Sequence, residues 1–514
     1  MSMNASLHAL VSPSWQECAL AWEKGQASVV FSVEAADLLT PVSAYIRLAY
    51  SEGKIAPYTL LFESVEGGVS RGRYSVIALK PDLVWMCHNA QVSLQTGSEG
   101  VLSEPRLCSD KPLEHLRQLI QESRLELPIG LPPMIAGLFG YLGYDMVRQM
   151  EYLPDAPIDD LNLPEGILMR PGLFAVFDTV TDDLILAAPV RPFEGETVRQ
   201  AWERAHALLQ QTQNCLKGAL PELHVASLSS SQTLPAPVST FSKQEFCDLV
   251  EKIRDYIAAG DAFQVVPSQR FSMPFPLSSL ALYRALRRVN PAPFLFHLNF
   301  VGFSLVGSSP EILVRLRDGR MTVRPLAGTR PRGETCEEDQ RLEKELLADE
   351  KEIAEHLMLI DLVRNDVGRV CTSGSVAVTE RFVIERLSHV MHITSQVEGI
   401  LQPELEALDA LIAAFPAGTL TGTPKIRAME IIDEVERTRR ATYAGCVGYF
   451  GAGGDMDTCI GLRMAVVKDG AMYVQAGCGV VFDSVPEKEY EETRHKARAM
   501  FRAAELAFQE AMGG

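Results

Sequence analysis

Helix-like and strand-like patterns follow one another irregularly along this chain of 514 residues. Residues 200–216 have apolar positions at helical spacing, whereas residues 28–33 are rich in β-branched and aromatic side chains. A doubly wound nucleotide-binding sheet requires a regular strand–helix–strand succession, which is missing here. The pattern therefore predicts a layered α+β architecture.

Local signals predict several individual elements. Ser242 and Glu245 form a capping-box pair in front of an apolar stripe, which predicts a helix. Residues 173–190 predict two strands joined by a polar turn. Residues 74–84 predict a strand pair broken at Lys80, because the proline that follows removes a backbone donor.

A serine- and proline-rich stretch without periodicity divides the chain. It covers residues 221–240 and has the composition of a linker. The length also favours two or more folding units. We therefore predict an N-terminal region at 1–220, a linker at 221–240 and a second domain at 241–514.

Composition excludes several classes of protein. Lys and Arg total 48 against 66 Asp and Glu, so the net charge is −18, which disfavours nucleic acid as a partner. Ten scattered cysteines without a C-x-x-C pair argue against a zinc cluster or a disulfide framework. Residues 1–15 do not resemble a secretion signal, and the uncharged stretch 289–310 is too rich in proline, asparagine and glycine for a membrane span. We expect a cytoplasmic protein.

Paired carboxylates are the clearest chemical signal. Glu352 and Glu355 lie three residues apart in a helical segment, and Glu489, Glu492 and Lys496 share one face of another. Oxygen ligands of this kind suit Mg²⁺. An isolated pair is also typical of a solvated helix surface, so both interpretations stay open.

Other motifs are less informative by themselves. The glycine-rich segments 415–425 and 448–455 lack the spacing of a phosphate loop, and no G-x-S-x-G nucleophile turn is present. His392 lies in a strand-like run, where a lone histidine is usually structural. Residue patterns alone therefore indicate an α+β protein that could be a Mg²⁺ enzyme for a small anion.

Ordered sequence blocks between residues 260 and 499 add a family resemblance. They include GDAFQVVPSQRF, GSSPEILVRL, RPLAGTRPRG, DEKEIAEHLMLIDLVRNDVGRV, HVMHITSQVEG, FPAGTLTGTPKIRAMEIIDE, YAGCVGYFGAGGDMDTCIGLRM and QAGCGVVFDSVPEKEYEETRHKA. With them the chain resembles the chorismate-utilising enzymes, and among these the large subunits (component I) of anthranilate synthases. The resemblance implies layered antiparallel sheets, a β-sandwich, flanked by helices.

The resemblance also assigns binding roles to residues of this chain. It implies that Glu355 and Glu492 hold Mg²⁺, with Glu352 and Glu489 close by or bound through water. Chorismate, which carries two carboxylates, would contact a set of residues made up of Gly328, Thr329, Tyr443, Arg463, Gly477, Gly479 and Lys496.

The implied chemistry is an amination followed by an elimination. Glu311 would act as the general acid for the departing 4-hydroxyl, ammonia would add at C2 to give aminodeoxyisochorismate, and loss of pyruvate would give anthranilate. His392 and Thr419 match positions that the family associates with the elimination. Gln264 stands where water-using relatives carry a lysine base, and Ala327 stands where aminodeoxychorismate synthases carry a nucleophilic lysine.

Partners and regulation follow from the same resemblance. No cysteine lies in a G-x-C-x-G turn, so ammonia would come from a separate glutaminase subunit (component II) in a heterotetramer. The LLFES and NPAPF segments resemble a tryptophan feedback site, and its expected residues are Glu63, Ser64, Arg73, Pro293 and Phe294. Open alternatives are an aminodeoxyisochorismate synthase that stops before pyruvate loss, an aminodeoxychorismate synthase, and a tryptophan-binding subunit without catalysis.

Overall fold

A computed structural model describes residues 12–66, 70–223, 234–387 and 390–513. Helices and antiparallel strands alternate along it, which confirms the predicted α+β class. The helices are α1 (Trp15–Glu23), α2 (Pro41–Ala49), α3 (Pro112–Glu122), α4 (Val198–Lys217), α5 (Lys243–Ala258), α6 (Ser279–Val289), α7 (Cys336–Ala348), α8 (Glu350–Gly368), α9 (Ala407–Ala414), α10 (Lys425–Val435) and α11 (Pro486–Gly513), with 3₁₀ helices at Tyr144–Gln149 and Gly418–Leu420.

The strands are more numerous than the helices and mostly short. They are β1 (Ser28–Ala35), β2 (Tyr50–Ser51), β3 (Lys54–Ile55), β4 (Thr59–Glu63), β5 (Val65–Glu66), β6 (Ser70–Arg71), β7 (Tyr74–His88), β8 (Gln91–Ser98), β9 (Val101–Leu102), β10 (Arg106–Cys108), β11 (Gly137–Leu142), β12 (Gly166–Asp178), β13 (Asp183–Val190), β14 (Val238–Ser239), β15 (Gln264–Val265), β16 (Ser268–Pro274), β17 (Phe294–Asn299), β18 (Phe303–Ser309), β19 (Ile312–Arg317), β20 (Arg320–Val323), β21 (Leu326–Pro331), β22 (Ala377–Arg386), β23 (Val390–Ile400), β24 (Gly422–Thr423), β25 (Cys446–Gly451), β26 (Met456–Ile460), β27 (Met464–Lys468) and β28 (Ala471–Gly477).

Antiparallel pairing joins 22 of the described strands into one connected sheet system. Strand β12 pairs with β7, β11 and β13. Two pairings cross the serine- and proline-rich segment, since β4 pairs with β17 and β11 pairs with β25. Residues from both sides of that segment therefore share one sheet system.

The predicted division of the chain is not settled by these pairings and stays a prediction. Within the predicted linker at 221–240, residues 224–233 lie outside the described residues, and so do residues 1–11 of the N-terminal stretch. In the described ranges, no helix is both long enough and apolar enough to cross a membrane.

Glycines allow the central strands to approach closely. Gly140 of β11 has a φ of 155°, and a Cβ atom there would lie 2.0 Å from the backbone oxygen of Ile167. Because a side chain would collide with the neighbouring strand, glycine is required for β11 to pair with both β12 and β25.

Most of the local predictions are confirmed, with one correction. The capping box of Ser242 and Glu245 opens α5, and residues 173–190 fall in β12 and β13 with a turn between them. The predicted break at Lys80 is wrong, because β7 continues through it as one strand of 15 residues. Lys80 has a φ of 53°, and the register with β12 shifts at this point, so a bulge absorbs the irregularity.

Two helices place the paired carboxylates near one another. Helix α8 packs on β21 and β23, and helix α11 packs on α5, α6 and β28. Each helix buries apolar residues on one side, such as Leu359 on α8 and Met500 on α11. The carboxylates of the two helices are close enough to interact, since the charges of Glu352 on α8 and Glu492 on α11 both raise the pKa of Glu355.

Candidate active site

Glu311 lies in the turn between β18 and β19 and is 7% exposed. Its Oε1 accepts a hydrogen bond of 3.2 Å from the Oγ1 of Thr419, on the 3₁₀ helix Gly418–Leu420. Burial raises the pKa of Glu311 to about 8, although Thr419, Lys496 and Arg463 oppose the shift. The carboxyl group therefore carries a proton at neutral pH and can donate it.

His392 lies on β23, directly opposite Thr329 on β21. Its Nδ1 is 3.1 Å from the backbone oxygen of Gly328 and 3.0 Å from the Oγ1 of Thr329. Since a carbonyl oxygen can only accept, we assign the proton to Nδ1, which leaves the lone pair on Nε2. Burial, with a smaller contribution from the charge of Arg463, lowers the pKa of His392 to about 4, so the ring is neutral.

Arg463 offers an unused guanidinium group to the site. Among the described residues its side chain has no hydrogen-bond or ion-pair partner, while burial lowers its pKa and the nearby groups of Tyr443, Glu492 and Glu311 oppose that shift. Its backbone φ of 50° is in the left-handed region. A half-buried arginine without a partner is suited to bind a carboxylate through its paired donors.

Lys496 provides a second positive group at the same site. Its Nζ donates to the backbone oxygen of Gly477 at 2.9 Å and forms an ion pair with Glu492 at 2.7 Å. A Cβ atom on Gly477 would lie 3.0 Å from the Tyr443 hydroxyl and 2.6 Å from the backbone oxygen of Pro267. Only glycine therefore allows Tyr443 and this strand end to meet beside Lys496.

The four carboxylates predicted at the site influence one another across the two helices. Burial raises the pKa of Glu355, and the charges of Glu352 and Glu492 raise it further. Burial and the charge of Glu492 likewise raise the pKa of Glu489. Glu352 is partly compensated, because the Nη1 of Arg330 donates to it at 3.2 Å. This repulsion among partly buried carboxylates, which Lys496 and Gln264 oppose, favours binding of a cation.

The carboxylates of α8 and α11 fit a magnesium ion provided that a bound anion supplies further oxygen ligands. In the portion of the chain that the structure describes, no three acidic, histidine or cysteine side chains converge closely enough to hold a metal by themselves. Mg²⁺ commonly takes only one or two protein carboxylates and fills its remaining positions with water and ligand oxygens. Glu355 and Glu492 therefore fit as a partial ligand set that a bound anion would complete.

Gln264 lies on β15 and is hydrogen-bonded to Glu355, one of the four carboxylates of α8 and α11. Its Nε2 donates to the Oε1 of Glu355 at 3.1 Å, which leaves its own Oε1 buried and without a partner in the described chain. A Cβ atom on Gly479 would lie 2.8 Å from the Gln264 Nε2. This unpaired amide oxygen can accept a hydrogen bond from a donor on a bound ligand.

The residues expected at an effector site lie on another part of the sheet system. Glu63 at the end of β4 is opposite Leu295 on β17, which brings the LLFES and NPAPF segments side by side. Ser64 follows Glu63, and Phe294, which Pro293 precedes, begins β17. Arg73 is more than half exposed and forms an ion pair of 3.0 Å with Asp178.

Several contacts of the candidate residues could not be found from the sequence. Tyr283 and Arg287 of α6 both bind Glu63, which is more than 200 residues away along the chain. Arg330 lies within the RPLAGTRPRG block and donates to Glu352, but the block itself does not predict this contact. In each case the contact depends on how distant elements pack.

Comparison with known proteins gives consistent results. The family model described as chorismate binding enzyme matches residues 71–502. The chain is 51% identical to anthranilate synthase component 1 of Cereibacter sphaeroides over 95% of this chain and 96% of that protein, and 48% identical to the protein of the same name from Pseudomonas aeruginosa over 92% and 94%.

Solved structures show the same likeness. Anthranilate synthase component I from Streptococcus pneumoniae is similar with a TM-score of 0.73 and 35% identity, covering 91% of this chain and 98% of that one. The menaquinone-specific isochorismate synthase from Escherichia coli has a TM-score of 0.68 at 18% identity, covering 96% and 100%, and so shows the fold alone. The layered antiparallel fold predicted from the sequence is confirmed by these structures.

Proposed function

Because the chain belongs to the chorismate-binding enzymes, and among them to the family of anthranilate synthase component 1, we propose that it converts chorismate and ammonia to anthranilate and pyruvate. The observation that carries the proposal is Glu311. Its buried carboxyl group has a pKa of about 8 and lies in hydrogen-bond contact with Thr419. It can therefore serve as the general acid for a hydroxyl leaving group.

Two cationic groups account for the binding of a dianionic substrate. The guanidinium of Arg463, with Tyr443 beside it, suits the enolpyruvyl carboxylate because its fork can donate two parallel hydrogen bonds. Lys496, held at Gly477, suits the ring carboxylate. Gly328 and Thr329 lie next to His392 and would border the ring.

Glu355 and Glu492 would hold Mg²⁺ together with the ring carboxylate, with Glu352 and Glu489 close by. When bound, the ion would neutralise charge at that carboxylate and orient the ring. The support for this assignment is the mutual repulsion of these carboxylates and the chemistry of their oxygen donors.

In the first step, Glu311 gives its proton to the 4-hydroxyl, which leaves as water. Ammonia forms a bond to C2 as the ring double bonds shift and the C4–O bond breaks, and the new ammonium group gives a proton to the solution, so that aminodeoxyisochorismate results. The buried Oε1 of Gln264 is an acceptor that can hold an N–H of the incoming ammonia. A glutamine at this position cannot act as the base that an attacking water would need.

In the second step, C2 loses its proton, the C3–O bond to the enolpyruvyl group breaks and the ring becomes aromatic, while the enolpyruvyl methylene carbon takes up a proton and pyruvate is released. The neutral His392 presents its Nε2 lone pair and is held by Gly328 and Thr329, so we assign it to this step. Thr419 keeps Glu311 in place throughout.

The source of ammonia and the control of the enzyme belong to the same proposal. We expect a glutaminase partner in a heterotetramer, a cytoplasmic location, and inhibition by tryptophan at the segment around Glu63. The pairing of β4 with β17 supports the last of these, because it joins the two segments on which the expectation rests.

The test is anthranilate fluorescence from purified protein with chorismate, MgCl₂ and an ammonium salt, with and without tryptophan. We expect a Mg²⁺-dependent signal that tryptophan suppresses. Consumption of chorismate without anthranilate would replace the proposal with an aminodeoxyisochorismate synthase. No consumption would show that Glu311 and the carboxylates do not act as assigned.

A further inference from the structure

The carboxylate of Glu63 is fixed by two residues of helix α6. The Tyr283 hydroxyl donates to its Oε2 at 2.5 Å, and Arg287 donates from Nε to Oε2 at 2.7 Å and from Nη2 to Oε1 at 2.9 Å. The Glu63 side chain is 4% exposed. Nothing in the sequence motifs marks Tyr283 or Arg287.

These three bonds leave a defined acceptor capacity on Glu63. An ionised carboxylate offers about four lone-pair positions, two on each oxygen. Oε2 accepts two hydrogen bonds and Oε1 accepts one. The remaining position is on Oε1, and the bidentate Arg287 fixes the direction in which it points.

Joining a strand to a helix through a largely buried ion pair carries a large desolvation free energy. The Glu63 carboxylate loses its hydration and Arg287, whose side chain is 26% exposed, loses part of its own, whereas an apolar contact of the same volume is often as stable. Tyr283 is also fully buried, and its hydroxyl donates its hydrogen bond to the same carboxylate. The arrangement is better explained by a need for a charged and oriented Glu63.

We infer that Arg287 and Tyr283 are the positioning residues of the effector site, and that they hold Glu63 so that its free Oε1 position receives the ammonium group of an α-amino acid. This inference rests on the feedback inhibition proposed above. Neither residue needs to touch the effector, since both act through Glu63.

The same helix supplies a matched control. Arg284 lies one turn from Arg288 on the exposed side of α6 and has no side-chain hydrogen bond or ion pair with any described residue. R284Q therefore removes the same charge from the same helix without touching Glu63.

The test compares E63Q, R287Q, R287K, Y283F and R284Q in the full chain. Tryptophan affinity is measured by calorimetry, and kcat and KM for chorismate are measured with ammonium. We expect R287Q and Y283F to weaken tryptophan binding by about tenfold or more, the usual effect of losing a hydrogen bond to a charged group. Their kcat and KM, and all properties of R284Q, should stay unchanged.

Two further readouts separate positioning from mere stabilisation. R287K keeps the charge but loses the fork, so it should restore part of the affinity that R287Q loses. The double variant E63Q/R287Q should bind tryptophan no more weakly than E63Q, because both residues act through one carboxylate. If R287Q fails to fold, Y283F and R287K still decide the question.

The possible failures are distinguishable. Normal tryptophan affinity in R287Q and Y283F, with affinity lost in E63Q, would overturn the positioning role and leave the feedback site intact. Unchanged inhibition in E63Q, or an unmodified enzyme that tryptophan does not inhibit, would overturn the feedback site and this inference with it.

Discussion

At the scale of single residues, Glu311 combines a functional property with a cost to stability. Its raised pKa of about 8 comes from burial. The unfolded chain ionises this group near its ordinary pKa, so the folded state holds a proton that the unfolded state releases. This contribution to stability is fully present below the ordinary pKa of glutamate and is lost as the pH rises through about 8.

E311Q tests both properties. We expect kcat to fall by about 10²- to 10⁴-fold, because an amide cannot replace a general acid. The activity of the unmodified enzyme should itself decline as the pH rises through about 8. In urea denaturation, E311Q should be more stable than the unmodified protein above that pH, and the difference should shrink on acidification. Equal activity in the two proteins would exclude the acid role.

His392 leads to a prediction about the product. With its proton assigned to Nδ1, His392 keeps a lone pair on Nε2, so H392N keeps a donor for the Gly328 oxygen but loses the imidazole lone pair. We expect H392N to consume chorismate and release aminodeoxyisochorismate, with little anthranilate. Chromatography of the products distinguishes the two compounds. Since the pKa of His392 is about 4, the ring should not contribute a transition between pH 6 and 8.

An anthranilate yield per chorismate equal to that of the unmodified enzyme would show that His392 has no part in the second step. T329V provides a control, because it removes the neighbouring hydroxyl while the Gly328 carbonyl still holds the ring. We expect a smaller effect from T329V than from H392N.

How far single residues can be predicted from sequence depends on whether a motif contains them. Glu311 and His392 lie in recognisable blocks, and the structure places both in the candidate site. Arg287 lies in no such block, and its partner Glu63 is on a strand 224 positions earlier. Its importance follows from packing, which local sequence does not encode.

At the scale of secondary-structure elements, caps and turns were predictable because neighbouring residues determine them. Ser242 and Glu245 open α5 as predicted. Lys80 misled the prediction, since a bulge can carry a strand past a proline when the partner strand shifts its register. A local rule fails where a neighbouring strand supplies the compensation.

The carboxylates of α8 and α11 lead to a prediction about the metal. Because no three such groups converge in the described residues, Mg²⁺ alone should bind weakly, and chorismate should tighten its binding by completing the ligand set. Calorimetric titration of E311Q with MgCl₂, with and without chorismate, measures this coupling while turnover is slow. Adding E355Q or E492Q to it should abolish the coupling.

Glu491 provides the control on the same helix. Its side chain is about as exposed as that of Glu492, but it pairs with Arg494 at 3.4 Å and with Lys243 of α5 at 4.0 Å, whereas Glu492 pairs with Lys496. Adding E491Q should therefore leave the coupling between Mg²⁺ and chorismate unchanged. If E355Q and E492Q behaved like E491Q, the metal would have to bind elsewhere.

At the scale of the whole molecule, strand order could not be predicted because it depends on contacts between distant segments. The composition of residues 221–240 predicted two separate regions. The pairings β4 with β17 and β11 with β25 connect them. Aromatic side chains also make contact across the two regions, since Phe139 stacks on Tyr449 with ring centroids 5.2 Å apart. A linker-like composition therefore does not by itself show where a core ends.

We therefore expect residues 1–220 and residues 241–514 to depend on one another for folding. Residues 241–514 expressed alone would leave β17 without β4 and β25 without β11, with unpaired backbone groups and exposed apolar surface. We expect this fragment to aggregate or to lack cooperative unfolding. A protease site inserted between residues 224 and 233 provides the control, because cleavage there leaves every described pairing intact.

After cleavage, the two pieces should elute together in size-exclusion chromatography and retain activity with ammonium. A soluble 241–514 fragment that unfolds cooperatively and forms anthranilate would instead show that the catalytic domain predicted from the sequence is independent. In that case the strands contributed by residues 1–220 would serve regulation alone, and removing them should abolish tryptophan inhibition while leaving kcat unchanged.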